Sequence, residues 1–180
     1  QAAGETNDYG ADATSGAGAA NVGVAGSLAV NAVVSRTTAR MGPTGAGTGI
    51  NAGTGDVEIE ASSRSASVVK AAAAVEGTGG TAQVGVGASV GVNVGVNTTL
   101  AELANAAVLS GGANMMVNAS SEHSMETEVT GGAGGARIAV TPVAAVTVGI
   151  NTTMARVGTG AALNLSGSYA SLAEQSTEQT

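Results

Sequence analysis

The stretch AQVGVGASVGVNVGVNTTLAEL, residues 82–103, decides the fold. From Val84 to Val96 it alternates without a break: Val or Ala at every even position, and Gly85, Gly87, Ser89, Gly91, Asn93 and Gly95 between them. A period of two belongs to a β-strand, whose successive side chains point to opposite faces. At ~3.3 Å per residue the run extends about 40 Å, longer than most strands, so a bend or bulge is expected near the central glycines. The Val face is expected to be buried, each side chain contributing roughly 1.5–3 kcal/mol. The opposite face has almost no side-chain volume, so either a second backbone layer approaches it closely or water covers it.

The same stretch recurs. Ala136–Val157 aligns on Ala82–Leu103 without gaps, with nine of 22 positions identical, including Asn151-Thr152-Thr153 on Asn97-Thr98-Thr99. A third copy runs from Asn21 to Met41, read with one extra residue between Asn31 and Thr37-Thr38, which sets Arg36 where the others carry Asn. A second, shorter element follows each copy: Asp56–Ser63 matches Asn114–Ser121 and, more weakly, Leu163–Ser168. The chain therefore reads as one repeat array over 1–180, with copies at 21–81, 82–135 and 136–180 and with 1–20 as the tail of a preceding repeat. The copies lie 61 or 62 and then 54 residues apart, a difference assigned mostly to the Gly-rich connector Gly42–Gly55. Variable connectors between constant elements are what surface loops allow. Gly77–Gly80 and Gly131–Gly135 read as further turns. Pro142 interrupts the third long run and removes a ladder donor, which places that copy at an edge or a bulge.

Composition agrees with thin, stacked sheets. The chain has 180 residues, 29 of them Gly, two Tyr and no Phe or Trp, so a core must be built from small side chains at close backbone spacing. A charged fraction of 11% with long Val runs argues against disorder. The net charge of −7 repels nucleic acid and anionic membranes. Without Cys there is no disulfide framework or thiolate metal site. The chain begins at Gln1, which reads as a processed product or an excised segment. No run is apolar enough for a membrane helix.

The fold class is all-β and repetitive. A parallel β-solenoid with long strands is the first reading, because like residues gain from stacking on like, as in a ladder of Val30, Val92 and Val146. An antiparallel β-sandwich or barrel is the alternative. Alternating Val/Gly runs ending in Asn-Thr-Thr at 97–99 and 151–153, followed by a Gly-rich turn and a strand ending in Ala-Ser-Ser, resemble the repeats of large bacterial surface proteins of the filamentous haemagglutinin and autotransporter-adhesin kind. That resemblance implies export to the cell surface, a β-solenoid stalk and a role in adhesion or fibre building.

No catalytic, cofactor or metal site is expected. The single His, His123, stands among Ser121, Glu122, Ser124 and Glu126 and reads as a solvated polar strand end. Glu58 and Glu60 share a strand face about 7 Å apart, and neighbours on one strand cannot flank a substrate as a glycosidase pair must. Gly45–Gly49 lacks the Lys-Ser/Thr and helix of a phosphate loop. Gly55-Asp56 does not recur as a calcium nonapeptide. Asn97, Asn118, Asn151 and Asn164 head Asn-x-Ser/Thr sequons and read as turn and ladder residues, glycosylation acceptors only in a eukaryotic secretory path. The Thr pairs at 37–38, 98–99 and 152–153 would stack into a short rank, too small for an ice-binding plane.

The expected role is a structural or adhesive stalk segment, extracellular and without catalysis. One alternative is a self-assembling filament subunit joined by strand pairing, a homo-oligomer or fibre whose partners are neighbouring repeats or identical chains. A second is a membrane β-barrel segment, which lacks the aromatic girdles of such barrels.

Overall fold

The computed structural model describes residues 6–19, 21–42, 49–77, 83–134 and 137–180. Its strands are β1 (Asn7–Ala19), β2 (Val22–Met41), β3 (Ile50–Asn51), β4 (Val57–Gly77), β5 (Val84–Leu103), β6 (Val108–Ser110), β7 (Met115–Gly134), β8 (Ile138–Val140), β9 (Val143–Val157), β10 (Ala162–Asn164) and β11 (Tyr169–Gln179). They form three sheets: a front sheet β1-β4-β7-β11, a back sheet in which β5 lies between β2 and the β8/β9 pair, and a narrow end sheet β3-β6-β10. Every pairing is parallel. The chain visits front, back and end sheet in turn and then begins again one strand higher. This is a parallel β-solenoid, and the antiparallel sandwich or barrel is set aside.

The ladders hold Val30 on Val92 on Val146, as like-on-like stacking requires. Other details of the repeat differ from the sequence reading. The element after each Val run is as long as the run itself, because β4 and β7 have 21 and 20 residues. Its third copy is β11, with Tyr169 on Met115, whereas Leu163–Asn164 belongs to the end sheet on Leu109–Ser110. There is no extra residue in β2: Ser35 lies on Asn97, Arg36 on Thr98 and Thr37 on Thr99. The long strands need no bulge, since the β2–β5 register is continuous from Val22 to Met41. At Pro142 the edge strand breaks into β8 and β9 without a register shift, and the Pro142 carbonyl still accepts from the Ser89 N–H at 3.1 Å. The register offset falls from 62 residues between β2 and β5 to 58 between β4 and β7 and 54 between β5 and β9. Half of the shortening thus falls in the connector between β2 and β4, and half in the one after β4. Gly131 to Gly134 are not a turn but the end of β7.

The largest correction concerns inside and outside in the back sheet. In β5 the Gly, Ser and Asn positions are buried, and the Val positions are only partly covered, with Val90 exposed. The front sheet lies against that Gly face, and its own backbone and side chains leave no room for Val on the back sheet to point inward. A methyl group on Gly87 would fall on the Gly132 carbonyl, and one on Gly131 would come within 3.0 Å of the Gly87 carbonyl. The two backbones touch. Farther along, front-sheet side chains fill the glycine positions: Val129 and Val69 sit over Gly91, and Met125 sits over Gly95 and Gly149. The space between the sheets widens toward the end sheet, where Leu103, Leu109, Met115, Val117 and Ile59 form the largest apolar cluster. The narrow side holds only small groups such as Ala25, Ala73 and Val75. The section is a wedge, with glycine at the thin edge and Leu and Met at the thick one.

Short turns close the thick edge. Ala106 in one coil and Gly160 in the next occupy equivalent positions 54 residues apart, and both adopt left-handed backbone, with φ of 57° and 72°. Gly160 does so freely, while Ala106 carries the penalty of its Cβ. Replacing Ala106 by Gly is therefore expected to raise stability by about 0.5–1 kcal/mol in urea unfolding, unlike an ordinary Ala-to-Gly change. The contact between the two long sheets generates a second prediction. Gly87→Ala is expected to cost at least about 2 kcal/mol, because two backbones must move apart, whereas Val92→Thr on the outer face costs less than about 0.5 kcal/mol. Equal sensitivity at both positions in the same unfolding experiment would contradict the assignment of faces.

Candidate functional site

Midway along the wedge the interior is polar, and chemistry-bearing side chains converge there. Asn93, on the inward face of β5, is fully buried and takes its partners from three strands. Its Oδ1 accepts from Ser67 Oγ at 2.6 Å and from Asn31 Nδ2 at 3.4 Å, and its Nδ2 donates to the carbonyls of Ser67 and Glu126 at 3.3 and 3.2 Å. Asn31 Nδ2 also donates to Ser67 Oγ at 2.7 Å. On the same face Asn97 Nδ2 donates to Asn151 Oδ1 at 2.8 Å, and Asn151 Nδ2 donates to Thr177 Oγ1 at 2.9 Å. Ser89 Oγ donates to the Thr130 carbonyl, and hydroxyl pairs join Ser121 to Thr153 and Thr127 to Thr147. These bonds run both along the stack and across the gap. Each buried amide that is satisfied in this way removes a penalty of about 1–3 kcal/mol and pins the front sheet to the back sheet in one register.

His123 lies in this layer. It points inward from β7, is 2% exposed, and its Nδ1 shares a hydrogen bond of 2.7 Å with Ser65 Oγ. The solvated strand end expected from its acidic and serine neighbours is thus overturned. The alternation that sends Glu122 and Ser124 outward sends His123 inward. Along β7, Ser121 meets Thr153 and Met125 meets Gly95 and Gly149, so His123 between them faces the row of Asn97 and Asn151. His123 Nε2, Asn97 Oδ1 and Thr99 Oγ1 are buried without a protein partner. Burial holds the imidazole below its ordinary value of 6.5, since the charged form loses its hydration. A hydroxyl and an imidazole at this distance have the spacing of a nucleophile and its base, and both side chains are buried between the two sheets.

The remaining candidates are dispersed. Glu58 and Glu60 are exposed on the outer face of β4. Gly45 to Thr48 lie outside the described residues. Asp56 is structural, its Oδ1 accepting from the backbone N–H and the Nδ2 of Asn114 at 3.0 and 2.9 Å. Of the sequon residues, Asn97 is buried, Asn118 and Asn151 are half-buried, and Asn164 is exposed. The Thr pairs divide between faces: Thr99 is inward and fully buried, while Thr98 is turned out beside Arg36 and Thr152. Among the described residues no group of three or more His, Cys, Asp or Glu is placed to hold a metal ion.

Two features lie beyond the sequence reading. Glu102 is nearly buried between Arg40 and Arg156, its cross-strand neighbours, with contacts of 2.9 and 2.7 Å. A carboxylate flanked by one guanidinium on each side stitches three coils at one row. The outer face of the front sheet carries most of the acids, together with the ion pairs Arg64–Glu122 and Lys70–Glu128 at 2.8 and 3.1 Å. Glu128 holds Lys70 above the ordinary lysine value through its hydrogen bond. A shallow groove there is lined by Ser62, Arg64, Ser120, Glu122, Glu174 and Ser176. No family model matches the chain, and no curated protein or solved structure shows significant similarity to it.

The environment of His123 sets the sign of a pH effect. Folding favours the neutral ring, so its contribution is complete above about pH 6.5 and declines as the pH falls from there through the lowered folded value. Urea unfolding between pH 8 and pH 5 is expected to show this loss, and His123→Gln is expected to flatten the profile over that range. A profile unchanged by the substitution would mean that His123 is not held neutral.

Proposed function

We propose that this chain is a structural segment of a repetitive surface stalk, in which stacked coils carry load and no catalysis takes place. One observation carries the reading. The coils are joined by long in-register parallel ladders, and among the described residues the outer strands of the stack, β1 and β2 on one side and β9 and β11 on the other, each leave one ladder edge unpaired. A strand of 11 to 20 residues with an open edge is a template for another strand, and proteins cover or blunt such edges. A further coil of the same pitch covers it best. The buried Asn and Ser rows and the Arg40–Glu102–Arg156 row support this reading, because each is a ladder that another coil extends.

The resemblance to repeats of the filamentous haemagglutinin and autotransporter-adhesin kind supports export and an extracellular, adhesive setting. The same open edges favour a second reading, a filament subunit whose edges pair with those of identical chains. Both readings expect the isolated chain to elongate. Light scattering and negative-stain microscopy across a pH series are expected to reveal fibres, more readily at high salt or low pH, where screening or protonation of the 13 acids lowers the repulsion. A chain that never grows beyond a closed small species from pH 4 to pH 8 would sink both.

A further inference from the structure

The back sheet presents a second surface, independent of the strand edges. At the outward positions of Val22–Val34 in β2, Val84–Val96 in β5 and Ile138–Ile150 in β8 and β9, every residue is apolar. Val24, Leu28 and Val34 are 67%, 64% and 84% exposed. At ~3.3 Å per residue and ~4.8 Å per strand the face measures about 43 by 14 Å, or roughly 600 Å². That is the upper end of what single soluble chains leave uncovered, about 300–600 Å².

We infer that this face pairs with the same face of a second copy of the chain, sheet on sheet, about a twofold axis through its middle. Area supports the match: two such faces bury about 1,200 Å² together, above the ~1,000 Å² that a specific interface needs. Charge supports it as well. Arg36 and the Arg40–Glu102–Arg156 row stand beyond one end of the face, and most of the acids that give the chain its net charge of −7 lie on the outer front sheet, away from it. Two copies meeting back to back bury no unpaired charge and keep their acidic faces apart, whereas an anionic lipid surface is repelled. Shape is the third argument. Fifteen of the 21 outward residues of the face are Val or Ile at constant spacing, and in the two-sheet packing of a β-sandwich, where strand directions stay close to aligned, such side chains interdigitate. The pairing is lateral and closes at two copies, unlike growth through strand edges, which is open-ended.

The experiment uses the full chain. Sedimentation analysis of the wild type is expected to give a concentration-dependent dimer at pH 8 and low salt, where edge growth is suppressed. Val30→Thr, Val92→Thr and Val146→Thr combined keep the β-branched shape on an outward row, and are expected to weaken dimerisation by about 100-fold or more while leaving the circular dichroism spectrum and edge-grown fibres unchanged. The chain has no Cys, so single cysteines report proximity in an otherwise native background. Val90→Cys, at the middle of β5 and hence beside the twofold axis, is expected to be captured as a dimer by a short bismaleimide cross-linker that spans the ~10 Å between stacked sheets, and Ser124→Cys, on the outer front sheet, to remain monomeric. A wild type that is monomeric at every concentration, a triple variant that dimerises as well as the wild type, or equal cross-linking at positions 90 and 124 would overturn the inference. So would a monomeric chain that co-sediments with neutral phosphatidylcholine vesicles, which would assign the face to lipid. Fibres without dimers would remove this pairing and leave the stalk reading standing; dimers without fibres would do the reverse.

Discussion

The contact between Gly87 and Gly131–Gly132 is the constraint on which the rest depends. Where two backbones touch, neither sheet has volume for a side chain, and the apolar residues that make the back sheet strand-forming must turn outward. The usual arrangement of a half-buried sheet, apolar in and polar out, is inverted here for a steric reason. Stability then rests less on apolar burial across the thin part of the wedge than on ladder hydrogen bonds, on close backbone packing and on the Leu and Met cluster at the thick edge.

The polar layer follows from the same wedge. Midway along the section inward Ser, Asn and Thr share the gap with two larger side chains of β7, His123 and Met125, the latter filling the space over Gly95 and Gly149. Short amides and hydroxyls are costly to bury alone, yet in a stack many find an equivalent group in a neighbouring coil or a partner across the gap, Asn97 Oδ1 and Thr99 Oγ1 being exceptions. Asn31 with Asn93, and Asn97 with Asn151, exploit that repetition. A one-residue slip of either sheet would bring outward Val inward and send these groups outward, so the layer specifies register as well as filling space.

Much of this fold was legible in the sequence. The period of two gave strands, the gapless match of 82–103 on 136–157 gave the repeat, and stacking of like on like gave the parallel ladder, down to Val30 on Val92 on Val146. The facing of the back sheet was not legible, because alternation defines two faces without saying which is inside, and the usual preference for burying Val pointed the wrong way. His123 was misplaced for a related reason: its polar neighbours suggested solvent, although the parity shared with Val117, Ala119 and Ser121 was the better guide. The Arg36 alignment failed because matching Thr pairs suggested an insertion that the ladder does not contain. The Arg40–Glu102–Arg156 row joins residues from three copies, and only the true register reveals it.

The outward Val stripe grows with the solenoid. Each coil adds one row, roughly 200 Å² of apolar surface at the spacing of parallel strands, worth about 5 kcal/mol gross at 25 cal/mol per Å². Affinity for whatever lies against the stripe is therefore a matter of valency, multiplying with every coil added while the chemistry of the contact stays the same. A few rows would give a reversible contact, and a long array a hold that no single row accounts for. Because the rows are nearly alike, the contact also slides in steps of one coil, about 4.8 Å, so that two long arrays would hold each other strongly without any unique alignment.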